Sequence, residues 1–333
     1  MALRLIEMVL PEQNGEEVLE LLKEHKMLEH RQIRLSDGEV LVRILLEAEQ
    51  SEAVLDSLEK CYTGKEGNRV VILAVEATLP RAEPEAAVAP EQLPEEKSPE
   101  RISREELYED IKDAAECSRV YLAMVVLSTI VAAVGLYYNS VAIIIGAMVI
   151  APLLGPNMAL SLGTTLGDLS LLRSAILTAL AGIATTMVLS VFIGILLQVD
   201  PALPELASRN GVGMGDIAVA LASGCAGALA FTTGVSTALI GVMVAVALLP
   251  PLVAFGLLLG GGHPALAMGA LSLFLVNLIS VNLAGVTTFI VQGIHPAIWW
   301  EKDQAQKATH TAIKIWVAML AVLVGLILLF QKR

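Results

Sequence analysis

The sequence predicts a small α+β ferredoxin-like (βαββαβ) soluble domain followed by an α-helical polytopic membrane domain of about seven spans with a 3+3 inverted repeat. Three observations predict it. Of the 333 residues, 55% are hydrophobic, and the apolar runs lie after position 118. The charge divides at the same place. Residues 1–118 carry 14 Lys/Arg against 28 Asp/Glu, whereas residues 119–333 carry 8 against 6. Finally, the segment 145–156 recurs at 240–251 with seven of twelve residues identical.

The front domain, residues 1–79, opens on the β-type run Leu3–Leu10. Asn14 caps a helix with Glu17 three residues on, and Val18, Leu19, Leu21 and Leu22 form its apolar stripe. Arg31–Leu35 and Val40–Leu46 are strands joined around Asp37-Gly38, a pair that tolerates the positive φ of tight hairpins. Ser51–Lys60 is a second helix with Val54, Leu55 and Leu58 inward, and Val70–Ala77 is the last strand. The order βαββαβ gives the ferredoxin-like expectation, which carries no function by itself. A surface this acidic repels phosphate, so nucleic acid is not an expected partner. It also disfavours lying on anionic lipid. Met1–Leu10 lacks a basic region followed by a long apolar run, so it is not read as a signal peptide, and the front domain is expected in the cytoplasm.

Residues 80–102 are a Pro/Glu-rich linker, with Pro80, Pro84, Pro90, Pro94 and Pro99. Ser103-Arg104-Glu105-Glu106 is a capping box. It opens a polar helix over 103–118 that is expected to run on into the first span.

The membrane domain covers 119–333. A bilayer core about 30 Å thick needs roughly 20 apolar residues in a helix. Seven segments qualify: 119–138, 140–163, 172–197, 214–233, 236–260, 265–291 and 311–330. With the front domain inside, Arg173, Lys302, Lys307 and Lys314 fall in inner loops. Arg209 lies outside beside Asp200 and Glu205, and the tail Lys332-Arg333 is the exception to the positive-inside pattern.

The recurrence at an offset of 95 residues divides this domain into repeat one, 119–197, and repeat two, 214–291, followed by a last helix, 311–330. Ile145-Gly146-Ala147-Met148-Val149 matches Ile240-Gly241-Val242-Met243-Val244, and Leu153-Leu154-Gly155-Pro156 matches Leu248-Leu249-Pro250-Pro251. Three crossings per unit put the second unit upside down, an architecture of secondary transporters and of some channels. Pro152 and Pro156 are expected to free the carbonyls of Met148 and Pro152, and Pro250 and Pro251 those of Val246 and Ala247. Spans two and five are thus expected to be broken near the midplane, where freed backbone needs protein or a polar cavity.

Ionisable residues are nearly absent from the span interiors; Asp168, Arg173 and Asp216 sit near span ends. A proton relay has no obvious members, so a pathway must use neutral groups and backbone dipoles. The candidate substrate- or ion-binding residues are Pro152, Pro156, Asn157, Pro250, Pro251, Asn277, Ser280 and Asn282. Thr185, Thr186, Ser223, Thr232 and Thr233 are further polar residues of the spans, and each of these groups serves equally as an interhelical hydrogen bond. His263 and His295, each before a proline, are expected at the surface. Cys61, Cys117 and Cys225 are too widely spaced for a metal motif or disulfide framework. No cofactor or metal is expected. No phosphate loop, nucleophile elbow, HExxH pattern or intramembrane catalytic pair is present, so the chain is not expected to be an enzyme.

The stretch Ile143-Ile144-Ile145-Gly146-Ala147-Met148-Val149-Ile150-Ala151-Pro152-Leu153-Leu154-Gly155-Pro156 resembles the prokaryotic integral-membrane family catalogued as domain of unknown function 389, an uncharacterised hydrophobic domain. Ala247-Leu248-Leu249-Pro250-Pro251 and Asn277-Leu278-Ile279-Ser280-Val281-Asn282 are similar to its other recurring stretches. The resemblance covers roughly residues 105–290. It implies a multi-pass protein of a bacterial or archaeal plasma membrane and assigns no activity to any residue. Three functions stay open: a transporter for a small solute or ion, an ion channel gated or assembled by the cytoplasmic domain, and a non-transporting scaffold or sensor. The expected partners are the lipid bilayer, a small solute or ion, and further copies of the chain in a homo-oligomer.

Overall fold

The computed structural model describes residues 3–14, 18, 20–22, 25, 27–35, 38–62, 69–75, 78, 101–233 and 237–295, with isolated positions at 317, 318, 321 and 325. The linker at 80–100, Gly15–Glu17 and Leu19 of the first expected helix, Asp37, and, those four positions apart, the last expected span with its tail lie outside the described residues. The chain forms two compact units, Met1–Leu107 and Tyr108–Arg333.

In the first unit, β1 (Leu3–Pro11) and β3 (Glu39–Glu47) alternate strictly. Arg4, Ile6, Met8 and Leu10 point inward from β1, and Val40, Val42, Ile44 and Leu46 from β3. The antiparallel register sets Ile6 against Ile44 and Met8 against Val42, so both strands cover one core face. The sheet order is β2-β3-β1-β4, with β2 (Glu29–Arg34) and β4 (Val70–Val75) at the edges and every pair antiparallel. In this order β3 separates β1 from β2, and β1 separates β3 from β4. Helix α1 (Ala48–Tyr62) supplies Val54, Leu55 and Leu58 to the core. Val18 and Leu22 complete it, joined by the bond from the Leu22 N–H to the Val18 carbonyl. Gly38 takes φ +75° at the β2–β3 hairpin.

Helix α2 (Arg104–Ala114) starts on half of the expected capping box. The Glu106 N–H donates to Ser103 Oγ at 3.3 Å. The Glu106 carboxylate turns to Arg4 instead of the Ser103 backbone, accepting from Nη2 at 2.7 Å and Nε at 2.8 Å. Arg4 is a charged residue at a core-facing strand position, and this bidentate pair is what allows it there. The helix does not run into the next one, contrary to expectation. It ends at Ala114, and Ser118 opens α3 (Arg119–Tyr137) as an N-cap, its Oγ accepting from the Tyr121 N–H at 3.0 Å. A capping serine satisfies a new helix end better than it continues an old helix.

The second unit continues with α4 (Val141–Ile150), α5 (Leu154–Leu166), α6 (Leu169–Leu197), α7 (Pro204–Ala207), α8 (Met214–Thr233), α9 (Thr237–Gly260) and α10 (Pro264–Val291). Among the described residues, helices α3, α6, α8 and α10 are long and apolar enough to cross a membrane, and α4 with α5 passes the same test as a pair bent by 54° at a short break. On α6, Leu177, Leu180, Val188, Phe192, Ile195 and Leu196 are exposed. An outer face of this kind suits lipid, which is consistent with a multi-pass membrane protein.

Two helix starts recur at the sequence offset of 95: Arg119 and Met214, and Leu169 and Pro264. Two close contacts recur as well, with partners exchanged. Gly285 of α10 lies against Ser161 of α5, and Ser190 of α6 lies against Gly256 of α9. Positions 161 and 256 are equivalent at the offset of 95, as are 190 and 285.

Candidate functional site

The break between α4 and α5 follows from Pro152. A residue before proline is driven out of the helical region, and Ala151 adopts φ −68°, ψ 119°. The Ala151 N–H still closes α4 by donating to the Ala147 carbonyl at 3.1 Å. Pro152 then has no N–H to offer, and the chain restarts at Leu154 with a bend of 54°. Pro156 does not break anything, contrary to expectation. It stands in the first turn of α5, where backbone N–H groups have no intrahelical acceptor in any case. Gly155 lies against the backbone of Ala114, leaving no room for a Cβ.

One turn into α5, Asn157 begins a buried polar cluster. Its Nδ2 donates to the Leu153 carbonyl at 2.7 Å. Its Oδ1 accepts from Asn282 Nδ2 of α10 at 2.9 Å, and the same nitrogen donates to the Leu278 carbonyl at 2.8 Å. Ser161 Oγ lies 3.0 Å from the Asn157 carbonyl and 3.2 and 3.3 Å from the carbonyl and Oδ1 of Asn282. One hydroxyl proton serves these three acceptors in turn. Asn157, Ser161 and Asn282 are all buried. Sequence reasoning missed Ser161; its signal was the four-residue spacing from Asn157, which places both on one helix face.

The expected break at Pro250-Pro251 is absent. Both prolines are buried inside α9, which runs unbroken to Gly260. Pro251 cannot donate to the Ala247 carbonyl, and Asn277 Nδ2 of α10 does so instead, at 2.8 Å. The amide thus replaces the missing backbone donor and lets the helix continue. Around Gly227 of α8, Leu154 of α5 and Val244 of α9 meet. Helix α10 carries both polar contacts, Asn282 with Asn157 of α5 and Asn277 with the Ala247 carbonyl of α9, and together these make up the node. The other polar candidates lie elsewhere. Thr185 Oγ1 donates to the Ala181 carbonyl, Thr186 pairs with Thr129 at 3.2 Å, and Thr232 and Thr233 donate to the Leu229 carbonyl. His263 sits at the N-cap position of α10 without a side-chain capping bond.

The family described as Domain of unknown function (DUF389) matches residues 148–283. A protein of Methanocaldococcus jannaschii described as Uncharacterized protein MJ0678 is 40% identical over 287 residues, covering 86% of this chain and 87% of its own. The chain belongs to the DUF389 family. No solved structure matches it. In this DUF389 chain the matched segment runs from the last turn of α4 to the middle of α10. It contains the break, both prolines of α9 and every asparagine of the node.

All the buried polar side chains described for the second unit are neutral hydroxyls and amides. This DUF389 site can bind by hydrogen bonding or by coordination through oxygen; among the described residues its buried side chains include no acid or base with which to exchange protons. The nearest titrating pair lies at the turn between α5 and α6, where Asp168 caps α6. Its Oδ1 accepts from the N–H groups of Ser170 and Leu171 at 2.8 and 3.1 Å, and its Oδ2 from the Tyr108 hydroxyl at 2.7 Å. Partial burial works to raise the Asp168 pKa. The bonds from the Ser170 and Tyr108 hydroxyls and the Leu171 and Ser170 N–H groups outweigh it, and the net shift is downward. A depressed carboxylate stabilises the fold above its unfolded value of about 3.9 and loses that contribution as the pH falls through the folded value. Asp168→Asn keeps a capping oxygen but loses the charge, and is expected to lower stability at pH 7 by about 0.3–1 kcal/mol, the worth of an anion at a helix N-terminus. In thermal unfolding the gap to wild type should close below about pH 4; a gap independent of pH would rule out the ionised cap.

Proposed function

We propose that the helical unit transports a small solute or ion, with its site at the α4–α5 break beside Asn157, Ser161 and Asn282. The observation that carries this reading is the depth of the break. Helix α4 has 10 residues, about 15 Å at 1.5 Å per residue. That is roughly half of a 30 Å bilayer core. The negative end of α4 and the positive end of α5 meet there, next to buried amides that can exchange partners.

The recurrence of the outer helix starts at an offset of 95 supports a repeat of three crossings, with α9 as the middle crossing of the second unit. An odd number of crossings turns the second unit over. The exchanged Ser–Gly contacts are what a two-fold relation between the units produces. Rocking of one unit on the other across the α5–α10 and α6–α9 interfaces would open the site to each side in turn. In this reading the protein lies in the plasma membrane with its sheet domain in the cytoplasm.

Purified protein in liposomes, challenged with a panel of labelled solutes and ions, tests the proposal. Saturable flux with counterflow is the expected outcome. Unitary currents without counterflow would make the protein a channel. Absence of flux across the panel would move the working part to the sheet domain.

A further inference from the structure

Two buried polar atoms of the node have no hydrogen-bond partner: Asn277 Oδ1 and Ser280 Oγ, both on α10. Asn277 is 4% exposed and Ser280 0%. Leaving such groups bare costs about 1–3 kcal/mol each, so something should compensate them. Three residues apart on a helix, they share a face, and Asn277 turns that face toward α9 by its bond to the Ala247 carbonyl. The amide cannot be flipped to relieve its oxygen. A flip would set Oδ1 against the Ala247 carbonyl, whose helical donor Pro251 has removed.

Ser280 is equally unusual in its own helix. Ser272, Thr287 and Thr288 of α10 each donate to the carbonyl four residues back, at 2.8 Å. Ser280 makes no such bond. Pro250 adds one more oxygen, since it cannot donate to the Val246 carbonyl on the same turn of α9. Among the described residues the locality therefore has a surplus of acceptor oxygens.

We propose that Asn277 Oδ1 and Ser280 Oγ are ligands of a monovalent alkali cation bound where α10 packs on α9. Amide, hydroxyl and carbonyl oxygens replace the hydration shell of such an ion. A divalent ion is a poor fit, because calcium and magnesium rely on carboxylates and the buried polar side chains of this unit are neutral. The proline at 251 fixes the amide, and the fixed amide presents its oxygen to the ion. As the coupling or transported ion, this cation rests on the transport reading; as a bound ion it does not.

Thermal unfolding of the full chain in detergent, at constant ionic strength in lithium, sodium, potassium, rubidium or choline chloride, tests it. One alkali ion should raise the midpoint over choline by about 3 °C or more at saturation. Ser280→Ala should unfold at or above the wild-type midpoint in choline, because no bare hydroxyl remains, and need about tenfold more of that ion for the same shift. Asn277→Leu should abolish the shift. Equal midpoints in all five salts, or a shift untouched in Ser280→Ala, would overturn the site and point to buried water alone. Flux in liposomes without ion-specific stabilisation would remove the site and keep transport. Ion-specific stabilisation without flux would keep the site and remove transport.

Discussion

Gly224→Leu should leave the helical unit unable to assemble. Helix α8 buries Ala220, Ser223, Gly224, Gly227 and Ala228, a face of small residues. At Gly224 the backbone of α8 lies on that of α10. A Cβ there would sit 2.8 Å from Ala284 Cβ and 2.9 Å from Val281 Cα. Neither neighbour is the end of a flexible side chain, so the helices themselves must part. Between lipid-facing helices there is little hydrophobic drive to offset that, because close packing is itself the attraction. Overpacking a tight contact costs about 1–3 kcal/mol for a methylene or two, and a leucine here exceeds that. The expected result is aggregation on extraction, or a thermal midpoint lowered by well over 5 °C. Leucine at Gly146 of α4, where nothing lies within 4 Å of a Cβ position, should leave the protein monodisperse. Wild-type behaviour at Gly224 would remove the contact that holds α10, and with it the placement of Asn277 and Asn282.

The sheet was legible because strand burial is written in alternation. Every second residue of Leu3–Leu10 and Val40–Leu46 is apolar or, at Arg4, paired, and the structure buries that set. The apolar helices were legible because length and composition decide whether a segment can cross a bilayer. The prolines were only half legible. Proline always removes a donor, but its consequence depends on position and neighbours. At 152 it ends a helix, at 156 it falls in a first turn where nothing is lost, and at 251 an asparagine 26 residues later supplies the missing donor. That last compensation is tertiary, and no local pattern announces it. The same limit applies to Asn157 and Asn282. Each stood out as a polar residue in an apolar helix, but they are 125 residues apart and their pairing appears only once α5 and α10 pack. Ser161 was overlooked because a serine in a helix usually donates to the carbonyl four residues back. It does so here, and it also reaches Asn282.

The Asn157–Asn282 pair yields the second large effect, and one that separates binding from packing. Asn282→Leu removes the donor to Asn157 Oδ1 and strands a buried amide oxygen. The expected cost is about 1–3 kcal/mol, more than the average membrane hydrogen bond of about 0.6 kcal/mol, because an unpaired group is left behind. Asn157→Leu alone should cost a similar amount, since Asn282 Nδ2 then keeps only the Leu278 carbonyl. With both leucines neither amide is left stranded, and Ser161 keeps its backbone acceptors. The double variant should therefore be more stable than the sum of the singles by about 1 kcal/mol or more. Flux should behave differently. If the amides receive the solute, liposomes carrying the double variant should show flux reduced at least tenfold even though the fold has recovered. A merely structural pair predicts the opposite, with flux returning as stability returns. Measuring both quantities on the same four proteins decides the matter, because stability and flux move together under one account and separate under the other.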